Sequence, residues 1–105
     1  MAEIEAVVYK NIRSFLDKLR QSGLHISNAY LFGSYARGQA DKQSDIDVAI
    51  ISPQISNDRF EERVRLTTLA ASIDVRLEPM PFNPETFIDN DPFVRHIKDE
   101  GVAVV

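Results

Sequence analysis

Two aspartates separated by one residue, Asp45 and Asp47, carry the clearest chemistry in the sequence. Successive side chains on a β-strand point to opposite faces, so residues two apart point the same way. Both carboxylates then face one side, while Ile46, Val48 and Ile50 face the other. Two carboxylates held together repel each other and lose hydration unless a cation neutralises them. Hard oxygen ligands favour magnesium, which takes a few carboxylates together with phosphate oxygens of a substrate. The pair therefore suits phosphoryl or nucleotidyl transfer. Upstream, Gly33-Ser34 follows a short apolar run and precedes a turn. Backbone N–H groups at such a place are free to bind phosphate. Gly33 lets the backbone approach closely. Ser34 adds a hydroxyl, Arg37 a positive charge, and Gly38 permits the next tight bend. Taken singly these features are ordinary, since Asp-x-Asp pairs often sit on exposed strand ends and a lone arginine is usually a solvated charge. Their order is what points to chemistry: strand, Gly-Ser turn, Arg-Gly, polar loop, Ser-Asp-Ile-Asp, apolar strand.

The surrounding elements must hold these groups. Ile4, Val7, Val8, Ile12, Phe15, Leu16 and Leu19 recur at helical spacing. Glu3 and Glu5 near the start and Lys18 and Arg20 near the end suit the helix dipole, and Ser22-Gly23 is the expected stop. Ala29–Phe32 reads as a strand ending at Gly33. Ser34–Ala40 reads as a tight turn, and Asp41-Lys42-Gln43-Ser44 as a polar loop. Asp45–Ile51 is the second strand, closed by Ser52-Pro53. Asp58 with Glu61 resembles a capping box and predicts a helix over about Arg59–Ser72, burying Phe60 and Val64. Ile73–Glu78 alternates apolar and charged residues, the pattern of a half-buried strand. Pro79, Pro81 and Pro84 predict an irregular stretch, with Asn83-Pro84 capping a short helix. Asp91-Pro92 predicts a further helix start, running to Gly101, with a last strand over Val102–Val105. The expected fold class is α/β, an α+β mixed sheet with helices packed on one face.

The 105 residues amount to one domain, 1–105. With 12 basic and 16 acidic side chains the net charge is -4, which argues against general nucleic-acid binding. The chain has no cysteine, so disulfides, thiol catalysis and zinc–thiolate sites are excluded. The acidic start Met1-Ala2-Glu3-Ile4-Glu5 is unlike a signal peptide, and no apolar run approaches the ~20 residues that span a bilayer. No membrane association is expected, and a cytoplasmic location is. His25 and His96 lack ligand partners at useful spacing. Tyr30, Phe32 and Tyr35 read as core or rim residues.

Leu31-Phe32-Gly33-Ser34-Tyr35-Ala36-Arg37-Gly38, followed by Ser44-Asp45-Ile46-Asp47-Val48, resembles the signature of the DNA polymerase β-like nucleotidyltransferase superfamily. The pattern is Gly-Ser, ten residues, then Asp-x-Asp. This version is similar to the small MNT-type proteins, often antitoxins encoded beside a HEPN toxin. The resemblance implies a minimal nucleotidyltransferase fold. It implies that Gly33 and Ser34 hold the triphosphate, with Arg37 nearby, and that Asp45 and Asp47 bind Mg2+. The family reaction moves a nucleoside monophosphate onto an acceptor hydroxyl and releases pyrophosphate, with ATP the expected nucleotide here.

The family also uses a third acidic residue on a later strand, to bind metal and activate the acceptor. Asp74 is the best match, completing a catalytic and metal-binding set of Asp45, Asp47 and Asp74. Glu78, on the same predicted strand face, is the substitute, and the bland alternative pairs Asp74 with Arg76. Larger relatives carry a second domain that walls the base or acceptor pocket. The resemblance here covers only the catalytic core, so a partner protein such as a HEPN-type toxin, a second copy in a homo-oligomer, or the acceptor would supply that wall. Three readings follow: a protein adenylyltransferase, a non-catalytic antitoxin that binds its partner, and a small-molecule transferase of the aminoglycoside-modifying sort.

Overall fold

The computed structural model describes residues 5–41, 43–56 and 58–105. Glu3 and Ile4 of the expected first helix and Lys42 of the polar loop lie outside the described residues. The order is α1 (Ala6–Gln21), β1 (Asn28–Phe32), β2 (Ile46–Ile51), α2 (Arg59–Ala71), β3 (Leu77–Phe82), α3 (Pro92–Glu100) and β4 (Val102–Ala103). The four strands form one mixed sheet in the order β3-β2-β1-β4. β1 runs antiparallel to β2 and β4, and β2 runs parallel to β3.

Local sequence explains the helix ends. α1 closes when the Leu24 N–H reaches back to the Leu19 carbonyl at 3.0 Å. Asp58 Oδ1 accepts the Glu61 N–H at 3.1 Å, and Asp91 Oδ1 accepts the Phe93 N–H at 2.9 Å. Both aspartates thus satisfy amide groups that the first turn of a helix leaves unpaired.

The apolar run of β2 serves two cores. Ile46, Val48 and Ile50 join Ala29, Leu31 and Leu77 beneath α1 and α2. Ala49 and Ile51 face the other way and pack with Phe32, Phe82, Phe87, Val94 and Ile97. The mixed α+β sheet is therefore as expected, but α3 lies on the face opposite α1 and α2. A central strand covered on both faces loses its polar alternation, which is why Val48-Ala49-Ile50-Ile51 reads as unbroken apolar.

The third strand is displaced from its expected place. Ile73–Arg76 forms the turn out of α2, and the strand is Leu77–Phe82, with two prolines inside it. Ile46 donates its N–H to the Arg76 carbonyl at 2.7 Å and Ser52 to the Phe82 carbonyl at 3.0 Å. Even-numbered residues of β3 therefore turn their peptide groups toward β2. Pro79 and Pro81 face the outer edge, where a missing N–H breaks no ladder bond.

The expected burial of Phe60 and Val64 is also corrected: they are 79% and 50% exposed, whereas Leu66 and Ala70 are fully buried. Val64 and Leu66 are two residues apart, roughly 200° around a helix, so only one of them can face the core. Leu66→Ala is expected to cost about 2–5 kcal/mol, as a truncation in a packed core. Phe60→Ser should stay within about 0.5 kcal/mol. Urea unfolding of both variants checks the orientation of α2.

Candidate active site

The site grows from the pairing of β1 with β2, which sets Phe32 opposite Asp47. The chain leaves β1 at Gly33, turns through Ser34–Gly38, and returns through the 39–45 loop to start β2. Gly33 has φ of 75°, a conformation that side chains with a Cβ seldom adopt. A Cβ at Gly33 would also collide with Asp47 Oδ2. The Asp47 carboxylate thus lies directly against the turn. Arg37 N–H bonds to the Gly33 carbonyl at 3.2 Å and Gln39 N–H to the Ser34 carbonyl at 2.9 Å. The amides of Ser34, Tyr35 and Ala36 donate to no partner among the described residues. They are available to an anion, as at a helix start.

Asp47 shares its sheet face with Ala49 and Ile51, the α3 side, and is half-buried beside the exposed Asp45. The parallel register of β2 and β3 sets Glu78 next to Asp47. The Asp47 carboxyl is pushed above the usual carboxylate range, first by burial and then by the charges of Asp45 and Glu78. Arg37 and Arg63 pull it part of the way back. Arg63 reaches over from α2 and meets Glu78 Oε2 at 3.4 Å. A groove of about 380 Å³ opens there, lined by Phe60, Arg63, Val64, Thr67, Thr68 and Glu78. Phe32, the cross-strand partner of Asp47, stands edge-on to Phe93 at 5.8 Å.

The structure therefore brings together Gly33, Ser34, Arg37, Asp45 and Asp47. It places Asp74 elsewhere, in the turn before β3. The Asp74 side chain is 9% exposed and pairs with Arg76 Nη2 at 2.8 Å. Its two oxygens also accept the Arg76 N–H at 3.0 Å, Arg76 Nε at 3.1 Å and Asn11 Nδ2 at 3.0 Å. Four donors occupy the roughly four lone-pair positions of a carboxylate. Arg76 holds the Asp74 carboxyl down at about 2. The carboxylate neighbour of Asp47 on β3 is Glu78. Arg63 went unnoticed in the sequence because its approach depends on how α2 crosses the edge of β3, which no local pattern encodes. Among the described residues no three histidine, cysteine or acidic side chains are gathered closely enough to make a metal cage by themselves. No helix among them is long and apolar enough to cross a membrane.

Residues 11–104 match the family model of the nucleotidyltransferase domain. No curated protein matches the chain. Among solved structures, a putative nucleotidyltransferase from Sulfolobus solfataricus is similar over 98% of this chain and 89% of its own, at 17% identity and a TM-score of 0.65. A toxin–antitoxin structure with AMP-PNP is similar over 92% of this chain and 72% of its own, at 21% identity and a TM-score of 0.66. A mutant of the MntA-HpeT toxin–antitoxin shares the fold over 92% of this chain and 72% of its own, at 19% identity and a TM-score of 0.64.

Two measurements test the electrostatics. A carboxyl whose folded pKa is raised destabilises the fold once it ionises. Asp47→Asn is therefore expected to raise the melting temperature at pH 7 in metal-free buffer. The gain should shrink as the pH falls and the wild-type carboxyl protonates. Asp74 has the opposite sign: its folded value of about 2 lies below the ordinary 3.8. Its stabilisation is present above the ordinary value and is lost as pH falls through the folded one. Relative to wild type, Asp74→Asn should be less stable at pH 7 and converge with it toward pH 2. Urea midpoints measured across that range decide both.

Proposed function

Because the chain belongs to the nucleotidyltransferase domain family, we propose that it is a magnesium-dependent transferase moving AMP from ATP onto a hydroxyl of a partner protein. The observation that carries this reading is the Asp47 carboxylate lying against Gly33, at the foot of a turn whose first amides are open. A triphosphate bound there would meet the Ser34–Ala36 amides and the Arg37 charge at one end and the Asp45–Asp47 pair at the other.

The residues fit magnesium. The ion prefers one or two carboxylates plus phosphate oxygens to an all-protein cage, and Asp45 with Asp47 offers that arrangement. Held by Asp45 and Asp47, the ion would neutralise the two carboxylates and the charge that develops on the phosphates. Glu78 is the better third carboxylate, because it neighbours Asp47 on β3 while every lone pair of Asp74 is engaged. In the transfer, the acceptor oxygen bonds to the α-phosphorus as the bond to the bridging oxygen breaks, and pyrophosphate leaves. Glu78 takes the acceptor proton, a role that asks for a carboxylate within hydrogen-bond reach of the hydroxyl.

A protein acceptor is favoured by the groove of Phe60, Val64 and Thr67, which ends on Glu78 and leaves large apolar side chains in water. Two of the structural neighbours are toxin–antitoxin assemblies, so a HEPN-type toxin is the partner to test first. The experiment is incubation of the protein and that partner with labelled ATP and magnesium. Label should move to the partner with wild type and vanish with Asp45→Ala plus Asp47→Ala. Glu78→Gln should lower transfer at least 100-fold, the usual scale for a lost general base, and Asp74→Asn far less at saturating ATP. Transfer that survives loss of both aspartates would sink the mechanism. Tight partner binding without any label transfer would favour a purely binding antitoxin.

A further inference from the structure

The carboxylate displaced from the metal site sits in a polar chain that the proposed chemistry does not use. Asn11 on α1 donates to Asp74 Oδ2 at 3.0 Å, and Asp74 clamps the Arg76 guanidinium through Nε at 3.1 Å and Nη2 at 2.8 Å. The remaining terminal nitrogen, Arg76 Nη1, donates to the Tyr35 hydroxyl at 2.9 Å. That hydroxyl donates onward to the Asp41 carbonyl at 3.2 Å. Tyr35 lies inside the Gly33–Gly38 turn and is 6% exposed. Asp41 opens the loop that returns to Asp45, and its N–H is tied to Ser44 Oγ at 3.0 Å. The main chain of Arg76 reaches the other side of the site, accepting the Ile46 N–H at 2.7 Å.

One residue thus holds both walls: its carbonyl fixes the start of β2, and its guanidinium fixes the turn. The fork geometry of the guanidinium makes this a directional brace, since Asp74 sets the plane and the plane aims Nη1 at Tyr35. We infer that Asp74, Arg76 and Tyr35 are positioning residues, forming a brace that holds the 34–41 segment in the shape that receives a triphosphate. The inference rests on the nucleotidyl-transfer reading for its ligand, but not for the brace itself. Groups that must meet a substrate within a fraction of an ångström need neighbours that lock them. The turn has few apolar anchors of its own apart from Tyr35 and Ala36.

Tyr35→Phe is the cleanest probe, because it keeps the buried ring and removes only the hydroxyl. Asp74→Asn keeps the shape and removes the charge that orients Arg76. Amide hydrogen exchange on the metal-free protein reads the brace directly. The hydrogen-bonded amides of Arg37, Gly38, Gln39 and Asp41 should exchange roughly tenfold faster in both variants, the scale of one lost hydrogen bond to a charged group, while Val48–Ile50 should be unchanged. Magnesium-ATP should bind about tenfold more weakly to both by calorimetry, with turnover at saturating ATP within about threefold of wild type. Arg76→Lys keeps the charge but not the fork, and should resemble Tyr35→Phe rather than wild type. Unchanged exchange at the Arg37, Gly38, Gln39 and Asp41 amides in Tyr35→Phe would overturn the brace. So would Asp74→Asn that binds ATP normally yet no longer turns over, which would place Asp74 in the chemistry. If wild type binds no ATP, the transfer reading fails while the exchange measurement still decides the brace.

Discussion

The pairing of Phe32 with Asp47 is the constraint on which the site depends. That register delivers a carboxylate to the point where β1 ends and its chain must turn away. The turn can close only because Gly33 has no Cβ, so backbone and carboxylate share a space that a side chain would fill. A slip of one residue would send Asp47 into the α1–α2 core, among Leu31, Leu66 and Leu77, where an ionised group has no partner. The alternation that builds the two cores is therefore the same alternation that places the acid.

This arrangement leaves the site poised against itself. Burial, Asp45 and Glu78 all disfavour the charge on Asp47, with Arg37 and Arg63 as partial counterweights. The cost is tolerated because β2 is gripped from both sides, by Ile46, Val48 and Ile50 in one core and by Ala49 and Ile51 in the other. Strain of this kind at a site, supported by a well-packed frame, is the usual compromise between stability and function.

Much of this was legible in the sequence because it is local. The helix caps at Asp58 and Asp91, the turn at Gly33 and the shared face of Asp45 and Asp47 each follow from a few neighbouring residues. The parts that could not be read depend on partners distant in the chain. The alternation of Ile73 to Glu78 resembles a strand, but the hydrogen bonds that make β3 come from Ile46 and Ser52, and they select Leu77–Phe82. Prolines 79 and 81 argue against a strand only until it is known which edge they face. Asp74 and Glu78 look equivalent in a linear pattern. They separate once the register sets Glu78 beside Asp47 and Asn11 reaches across from α1 to Asp74. Phe60 and Val64 carry the apolar signal of a buried stripe, yet the helix can turn only one stripe inward.

The two prolines have a bearing on what can approach the site. β3 is one border of the sheet, and along it Pro79 and Pro81 present no donors to an incoming strand. Another chain cannot extend the sheet past them by backbone pairing. Whatever reaches Glu78 from that side must be recognised through side chains, as a helix or a loop is. Any growth of the sheet is left to the opposite border, at β4, with β1 standing between it and the carboxylates of β2.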